Sequence, residues 1–487
     1  MDMILLEKIN RWLMSLEDTC LPPELYDLST KEIEQLIQYI YKHKAMIRFY
    51  NKLNSDVVEI NRLEKLKNRI NAEMNRIKAF IQPQRSSVMC LLQGYTGDYM
   101  LLKGVTSEVL TGNTGLLRVS GDWDIWARDP KDFTEYASRN GFLVDDESCA
   151  PHEFSKLLCA DNDEVMIEVH QSFPNISIPT ELLCRDLTTK VGYLNISYPS
   201  FSDISGEITS VKWGSYGNIR IASIELAVII MCMNVYRDSL YEPYKLPNVR
   251  LLDLLEIYML SKSEKFSAKK FGCLVDKFNS QQSVSFCHKL LSCFYEDVAL
   301  PDYNIDLRIL KLMNAEFSVF LLQDSSNFFH RLCCETFESR VQTLHPTRIK
   351  LDEWYSTKDF FKYQGTDGSK DKEFDFDFTF IKNESENLSL RYQVDGTKEH
   401  NDNFFVIFKN HMEHLHMHIN AEGQFYYDSF GLRNDENFEI EENDKTYNVI
   451  FNFRHVNMES KIYAVVAVEK FMNGNRHQTV VPVIIEQ

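Results

Sequence analysis

"LRVSGDWDIWARDP", residues 117–130, holds two aspartates, Asp122 and Asp124, split by a tryptophan and followed by apolar residues, with Arg118 four positions before the first. On a strand, residues i and i+2 point the same way, so both carboxylates share one face. Like charges side by side destabilise a sheet unless something positive holds them. Arg118 as a simple neutraliser is the lesser of two answers; a bound cation is the other. Asp129-Pro130 then reads as a helix start, with Asp as N-cap and Pro in the first turn. "KDFTEYASRN" continues that helix and closes at Gly141. Trp123 and Trp126 fall on opposite strand faces, so at most one could stack on a ligand; Trp123 reads as a core residue.

Upstream, "YMLLKGVT" reads as a buried strand ending in Lys103-Gly104, with Val105-Thr106-Ser107 opening a short helix. Downstream, "GFLV" and "EVMIEVHQSF" are two further strands. In the second, Glu168 shares a face with Met166 and His170, while Val165, Ile167 and Val169 form the opposite, apolar face. Asp122, Asp124 and Glu168, delivered from two strands, suit Mg²⁺, a hard cation that takes oxygen ligands and shares them with substrate phosphates. Two such ions can clamp the attacking and leaving oxygens of an in-line phosphoryl displacement. His170 reads as a partner that orients Glu168 by hydrogen bonding. Backbone amides at a helix start, two hydroxyls and a lysine are groups that suit nucleotide phosphates.

The succession strand, "KG", short helix, "R-x3-D-x-D", helix, strand with "E-h-H" resembles nucleotidyltransferases of the DNA-polymerase-β superfold. It is most similar to the bacterial group described as uncharacterised nucleotidyltransferases. The resemblance covers roughly residues 98 to 175 and extends more faintly to "VRLLDLLEIY", where Arg250 and Asp253 echo a helix lining the nucleotide pocket. It implies that Asp122 and Asp124 hold both metals and that Glu168 holds the catalytic one and helps to deprotonate the acceptor. Gly104, Thr106 and Ser107 would cradle the β- and γ-phosphates, with Lys103 and Arg118 countering their charge. The superfold's usual Gly-Ser pair is replaced here by Lys103-Gly104.

Around this unit the chain reads as α+β and multidomain. Residues 1–82 form an N-terminal helical region: Ser29 and Glu32 make a capping box, and Ile33, Leu36, Ile37 and Ile40 give one apolar face. A second helix carries Ile60, Leu63, Leu66, Ile70, Met74, Ile77 and Phe80 opposite a basic face, read mainly as solvated, and is expected to end at Pro83. Residues 83–218 form the nucleotidyltransferase core and 219–364 a helical domain. After a polar linker, 373–487 alternate in eight short strands and read as an antiparallel β-sandwich similar in architecture to family-9-like carbohydrate-binding modules, with a carbohydrate as a candidate ligand. There His414, His416 and His418 share a strand face about 7 Å apart. Two of them plus a ligand from a neighbouring strand could hold zinc, and a polar strand face is the plainer reading.

The net charge of −18 argues against a protein that coats nucleic acid through its bulk field. The eleven cysteines form no C-x-x-C pair, which suits reduced thiols in a cytoplasmic protein. The longest apolar run, near residue 230, contains Glu225 and is too short to span a membrane. The expectation is therefore a soluble, Mg²⁺-dependent nucleotidyltransferase. It would use an NTP or a nucleotide sugar, act on a small-molecule or peptide acceptor, and release pyrophosphate. Two rivals stand beside it: a glycosyltransferase that uses D-x-D on a sugar nucleotide, which usually needs a parallel βαβ unit ahead of the motif, and a binding protein with an inactive transferase core.

Overall fold

The computed structural model describes residues 3–17, 20–55, 63–112, 122–145, 152–160, 162–177, 195–241, 249–304, 341–342, 346–359 and 363–364, and the C-terminal segments 376–382, 388–395, 403–409, 414–419, 425–427, 438–442, 446–453, 461–472 and 475–486. Three helices come first: α1 (Met3–Met14), α2 (Thr30–Lys42) and α3 (Met46–Ser55). The expected capping box opens α2: Ser29 Oγ accepts from the Glu32 amide, and the Glu32 carboxylate accepts from the Ser29 amide at 2.8 Å. Its predicted apolar face, Ile33, Leu36, Ile37 and Ile40, is buried.

Helix α4 (Glu64–Gly94) runs straight through Pro83, where the sequence predicts a stop. A proline in a helix removes the hydrogen bond to the carbonyl four residues earlier. Here Ala79 and Pro83 both lie on the exposed side, so water can reach the released carbonyl. On the other side Ile77, Ile81, Gln84 and Val88 keep one continuous inward-facing row. The expected boundary between residues 82 and 83 therefore falls inside a helix.

A seven-stranded mixed sheet follows, in the order β3-β4-β5-β2-β1-β9-β8. Its members are β1 (Tyr99–Leu101), β2 (Asp122–Ala127), β3 (Phe142–Asp145), β4 (Glu153–Cys159), β5 (Asn162–His170), β8 (Ile208–Lys212) and β9 (Asn218–Ala222). The short pair β6 (Asn175–Ser177) and β7 (Asn195–Ser197) lies apart. Strand β2 is antiparallel to β1 and parallel to β5. Helix α5 (Val105–Thr111) leaves β1 and ends at Gly112, whose left-handed backbone suits glycine. Helix α6 (Pro130–Arg139) starts where predicted, with the Asp129 side chain accepting from the Asp132 amide at 3.0 Å.

The sheet separates two cores. One contains Val88, Met89, Leu91 and Leu92 of α4, Phe133 and Ala137 of α6, and the inward row Val165, Ile167 and Val169 of β5. The other gathers Trp126, Phe173, α1–α3 and the first half of α4. It also takes in the helices that follow the short α7 (Phe201–Ile204): α8 (Ile224–Tyr241), α9 (Leu251–Ser261), α10 (Ala268–Phe278) and α11 (Gln281–Leu291). The N-terminal region and the helical domain thus share one core, because neither set of amphipathic faces is covered without the other.

The eight C-terminal stretches read as strands are strands, and Phe438–Glu442 is a ninth that the sequence reading missed. They form two sheets, which also recruit Thr347–Lys350, Tyr355–Ser356 and Tyr363–Gln364. The expected helical domain extending to residue 364 is corrected accordingly: its last part is strand, paired in parallel and antiparallel fashion with Asn475–Glu486. His414, His416 and His418 lie on one strand, as read, and their register partners are Lys409, Ile407 and Tyr426, none a zinc-ligand type. Among the described residues no helix is long and apolar enough to cross a membrane.

Candidate metal centre

Parallel pairing of β2 with β5 puts Asp122 opposite Met166, Asp124 opposite Glu168 and Trp126 opposite His170. The period of two that aligns Asp122 and Asp124 also aligns Glu168 and His170, so all four residues belong to one sheet face. Asp124, Glu168 and His170 offer ligand atoms that all lie within 4.8 Å of one another. Asp122 stands outside that set. It is half-buried and lines a neighbouring cleft.

His170 does not orient Glu168, as the sequence suggested. Its Nε2 lies 3.0 Å from Asp124 Oδ1 and 3.9 Å from Glu168 Oε2, because its carboxylate partner across the strand boundary is nearer than the one on its own strand. The same Asp124 Oδ1 accepts from Lys103 Nζ at 2.9 Å. Lys103 is carried there by β1, which is hydrogen-bonded to β2 from Leu102 N to Asp124 O at 3.1 Å.

The electrostatics divide the two carboxylates. Burial alone would raise the pKa of Asp124, but the Lys103 charge and the His170 contact outweigh it and hold the carboxyl well below its usual range. Glu168 goes the other way, pushed up to about 8 by burial and by the charges of Asp124, Asp122 and Glu153, with Lys103 opposing. His152, whose ring centroid lies 5.4 Å from that of His170, is driven down to about 3 by burial and by the charges of His170, Arg237 and Lys103. Its 3.7 Å approach to Glu153 is therefore not an ion pair at neutral pH.

Burial is the larger part of the rise at Glu168, with the neighbouring carboxylate charges adding to it; the convergence of three ligand atoms within 4.8 Å is what fits a divalent cation. The donors are two carboxylates and one imidazole, a set that accepts Mg²⁺ or Mn²⁺ and also admits zinc.

Lys103 and Asp122 also wall a small cleft, with a cavity volume of about 30 Å³, together with Ile81, Gln84, Arg85, Gly104, Val105, Glu108 and Trp123. Gly104 has φ +71° and ψ −105°, a backbone region open in practice only to glycine, and this turn aims Lys103 and α5 apart. Thr106 and Ser107, expected to cradle phosphates with their hydroxyls, are turned inward. Thr106 Oγ1 donates to Leu101 O at 3.4 Å, and Ser107 Oγ lies 3.9 Å from Met231 Sδ. Arg118 lies outside the described residues.

Arg85, Gln84 and Glu108 were not singled out from the sequence. Arg85 Nη2 donates to Glu108 Oε2 at 2.7 Å, and its guanidinium sits 4.7 Å from the Trp213 ring centroid. The signal for Arg85 was available in the helical phase continuing past Pro83. Arg250 sits at the N-terminal boundary of α9 and lies 3.9 Å from Asp253. Burial would raise the pKa of Asp238, at the end of α8, but the charges of Arg237, Arg250 and Lys103 hold it low, so these cations surround the same region.

No family model, no curated protein and no solved structure matches this chain.

Proposed function

We propose that the protein is a divalent-cation-dependent nucleotidyltransferase that moves a nucleoside monophosphate from an NTP, or a related group from a nucleotide sugar, to a hydroxyl of a small-molecule or peptide acceptor. The observation that carries this reading is the convergence of Asp124, Glu168 and His170 on one sheet face, beside Lys103 and Asp122, which wall a neighbouring cleft. Such a core would be of the polymerase-β type. The glycosyltransferase alternative is disfavoured because β1, the first described strand ahead of the D-x-D strand, is antiparallel to it, so no parallel βαβ unit precedes the motif among the described residues.

A divalent cation held by Asp124 and Glu168 would supply Lewis-acid polarisation of the reacting phosphate. Asp122, outside the tight cluster, would serve a second cation arriving with the phosphates. His170 fixes the orientation of Asp124. Lys103 and Arg85 supply positive charge along the cleft for the phosphate chain. Glu168, ionised once the cation is bound beside it, would accept the proton as the acceptor oxygen attacks the α-phosphorus. The bond between the α-phosphorus and its bridging oxygen breaks, and pyrophosphate leaves from an NTP or a sugar phosphate from a nucleotide sugar.

The test is incubation of the purified protein with each α-³²P-labelled NTP, Mg²⁺ or Mn²⁺, and acceptor-containing cell extract. Metal-dependent label transfer, lost in Asp124→Ala, is the expected result. Absence of both label transfer and metal-dependent NTP binding by calorimetry would sink the reading.

A further inference from the structure

We propose that Lys103 is a resident counter-ion that holds Asp124 in place of the divalent cation, and that it must leave Asp124 for the cation to load. The inference rests on the metal-centre reading above. The Asp124 side chain is only 4% exposed, and a carboxylate so buried needs a cation beside it. Lys103 Nζ at 2.9 Å is the group that meets that need, and His170 Nε2 at 3.0 Å shares the same oxygen. An ammonium and a divalent ion on one buried carboxylate repel each other strongly, because little water screens them. The two are therefore competitors for Asp124.

Lys103 also has somewhere to go. Its side chain is 18% exposed, and it forms part of the cleft wall together with Gly104 and Asp122. A flexible four-carbon stem carries its charge into that cleft without moving the backbone. The other cation there, Arg85, is fixed between Glu108 and Trp213 and does not compete for Asp124. Lys103 is thus a positioning residue whose charge sets the affinity of the centre for metal. The alternative role, a passive support for Asp124, predicts the opposite sign: loss of Lys103 would weaken metal binding.

Isothermal titration with MnCl₂ separates the two. Lys103→Met should bind Mn²⁺ at least about tenfold more tightly than the wild type, whereas Lys103→Arg, which keeps the charge, should not. If Lys103→Met is too unstable to titrate, Lys103→Gln serves, and the rise in Tm on adding Mn²⁺ should exceed that of the wild type. In the wild-type protein, acetylation of Lys103 by an N-hydroxysuccinimide ester, followed by peptide mass spectrometry, should accelerate several-fold when Mn²⁺ is added. Equal or weaker Mn²⁺ binding by the uncharged variants, or acetylation unmoved by Mn²⁺ that demonstrably binds, overturns the exchange and leaves the metal centre standing. No Mn²⁺ binding by either wild type or variants removes the metal centre itself, and the exchange with it.

Discussion

Asp124 and Glu168 are register partners on adjacent parallel strands, two carboxylates facing the same way with opposite electrostatic fates. Asp124 is held ionised by Lys103 and His170, whereas Glu168 is forced towards its neutral form.

Asp124→Asn should remove Mn²⁺ binding and any metal-dependent transfer, and should cost about 2 kcal/mol of stability by weakening the Lys103 and His170 contacts. Calorimetry and urea denaturation measure the two effects separately. Unchanged Mn²⁺ affinity would exclude Asp124 as a ligand.

The metal-free protein should show two opposing pH limbs. The folded pKa of Glu168, about 8, lies above its ordinary value of 4.5, so the native state binds the extra proton between them. Stability from this group is lost as pH rises from about 4.5 to 8. His152 has a folded pKa of about 3 against an ordinary 6.5, so the unfolded state binds the extra proton and stability falls as pH drops from 6.5 towards 3. Glu168→Gln should flatten the alkaline limb and His152→Gln the acid limb, each by a few kcal/mol at most, in denaturation series across pH. Added Mn²⁺ should restore stability on the alkaline side, where Glu168 is ionised.

Gly104→Ala should destabilise by about 1–3 kcal/mol through backbone strain alone, because φ is +71° and no atom lies within 4 Å of the added methyl. The strain falls on the residue next to Lys103, so Mn²⁺ affinity should change along with it. Thermal denaturation and titration of the same variant check both.

Pro83→Ala should stabilise the protein by about 2 kcal/mol, because it restores a helical hydrogen bond on the exposed side of α4. A part of the gain is offset by the greater freedom of the unfolded chain. A drop in Tm would mean that the site of Pro83 has a packing role the exposed surface does not reveal.

Local signals in the chain were sufficient for much of this. The Ser29–Glu32 box, the Asp129-Pro130 helix start, the alternation of β5 and eight of the C-terminal strands are each set by interactions within a few residues. Pro83 misled because the cost of a helical proline depends on which way the released carbonyl faces, and that is a matter of packing. Phe438–Glu442 was missed because only Phe438 and Ile440 carry its alternation, and β4 because Leu157-Leu158 breaks its alternation where its pairing also bulges. The sharing of one core by the first helices and by α8–α11 joins residues far apart in the chain, which no local periodicity encodes.

From sequence alone, Asp122 pairs with Asp124 and Glu168 with His170, since a period of two puts them on common faces. Tertiary structure decided the rest. Pairing of β2 with β5 set Asp124 against Glu168, the turn at Gly104 brought Lys103 to Asp124, and α4 delivered Arg85 to the cleft. Strand register and helix docking are fixed by burial summed over the whole core, so which charge meets which carboxylate is settled only when that core closes.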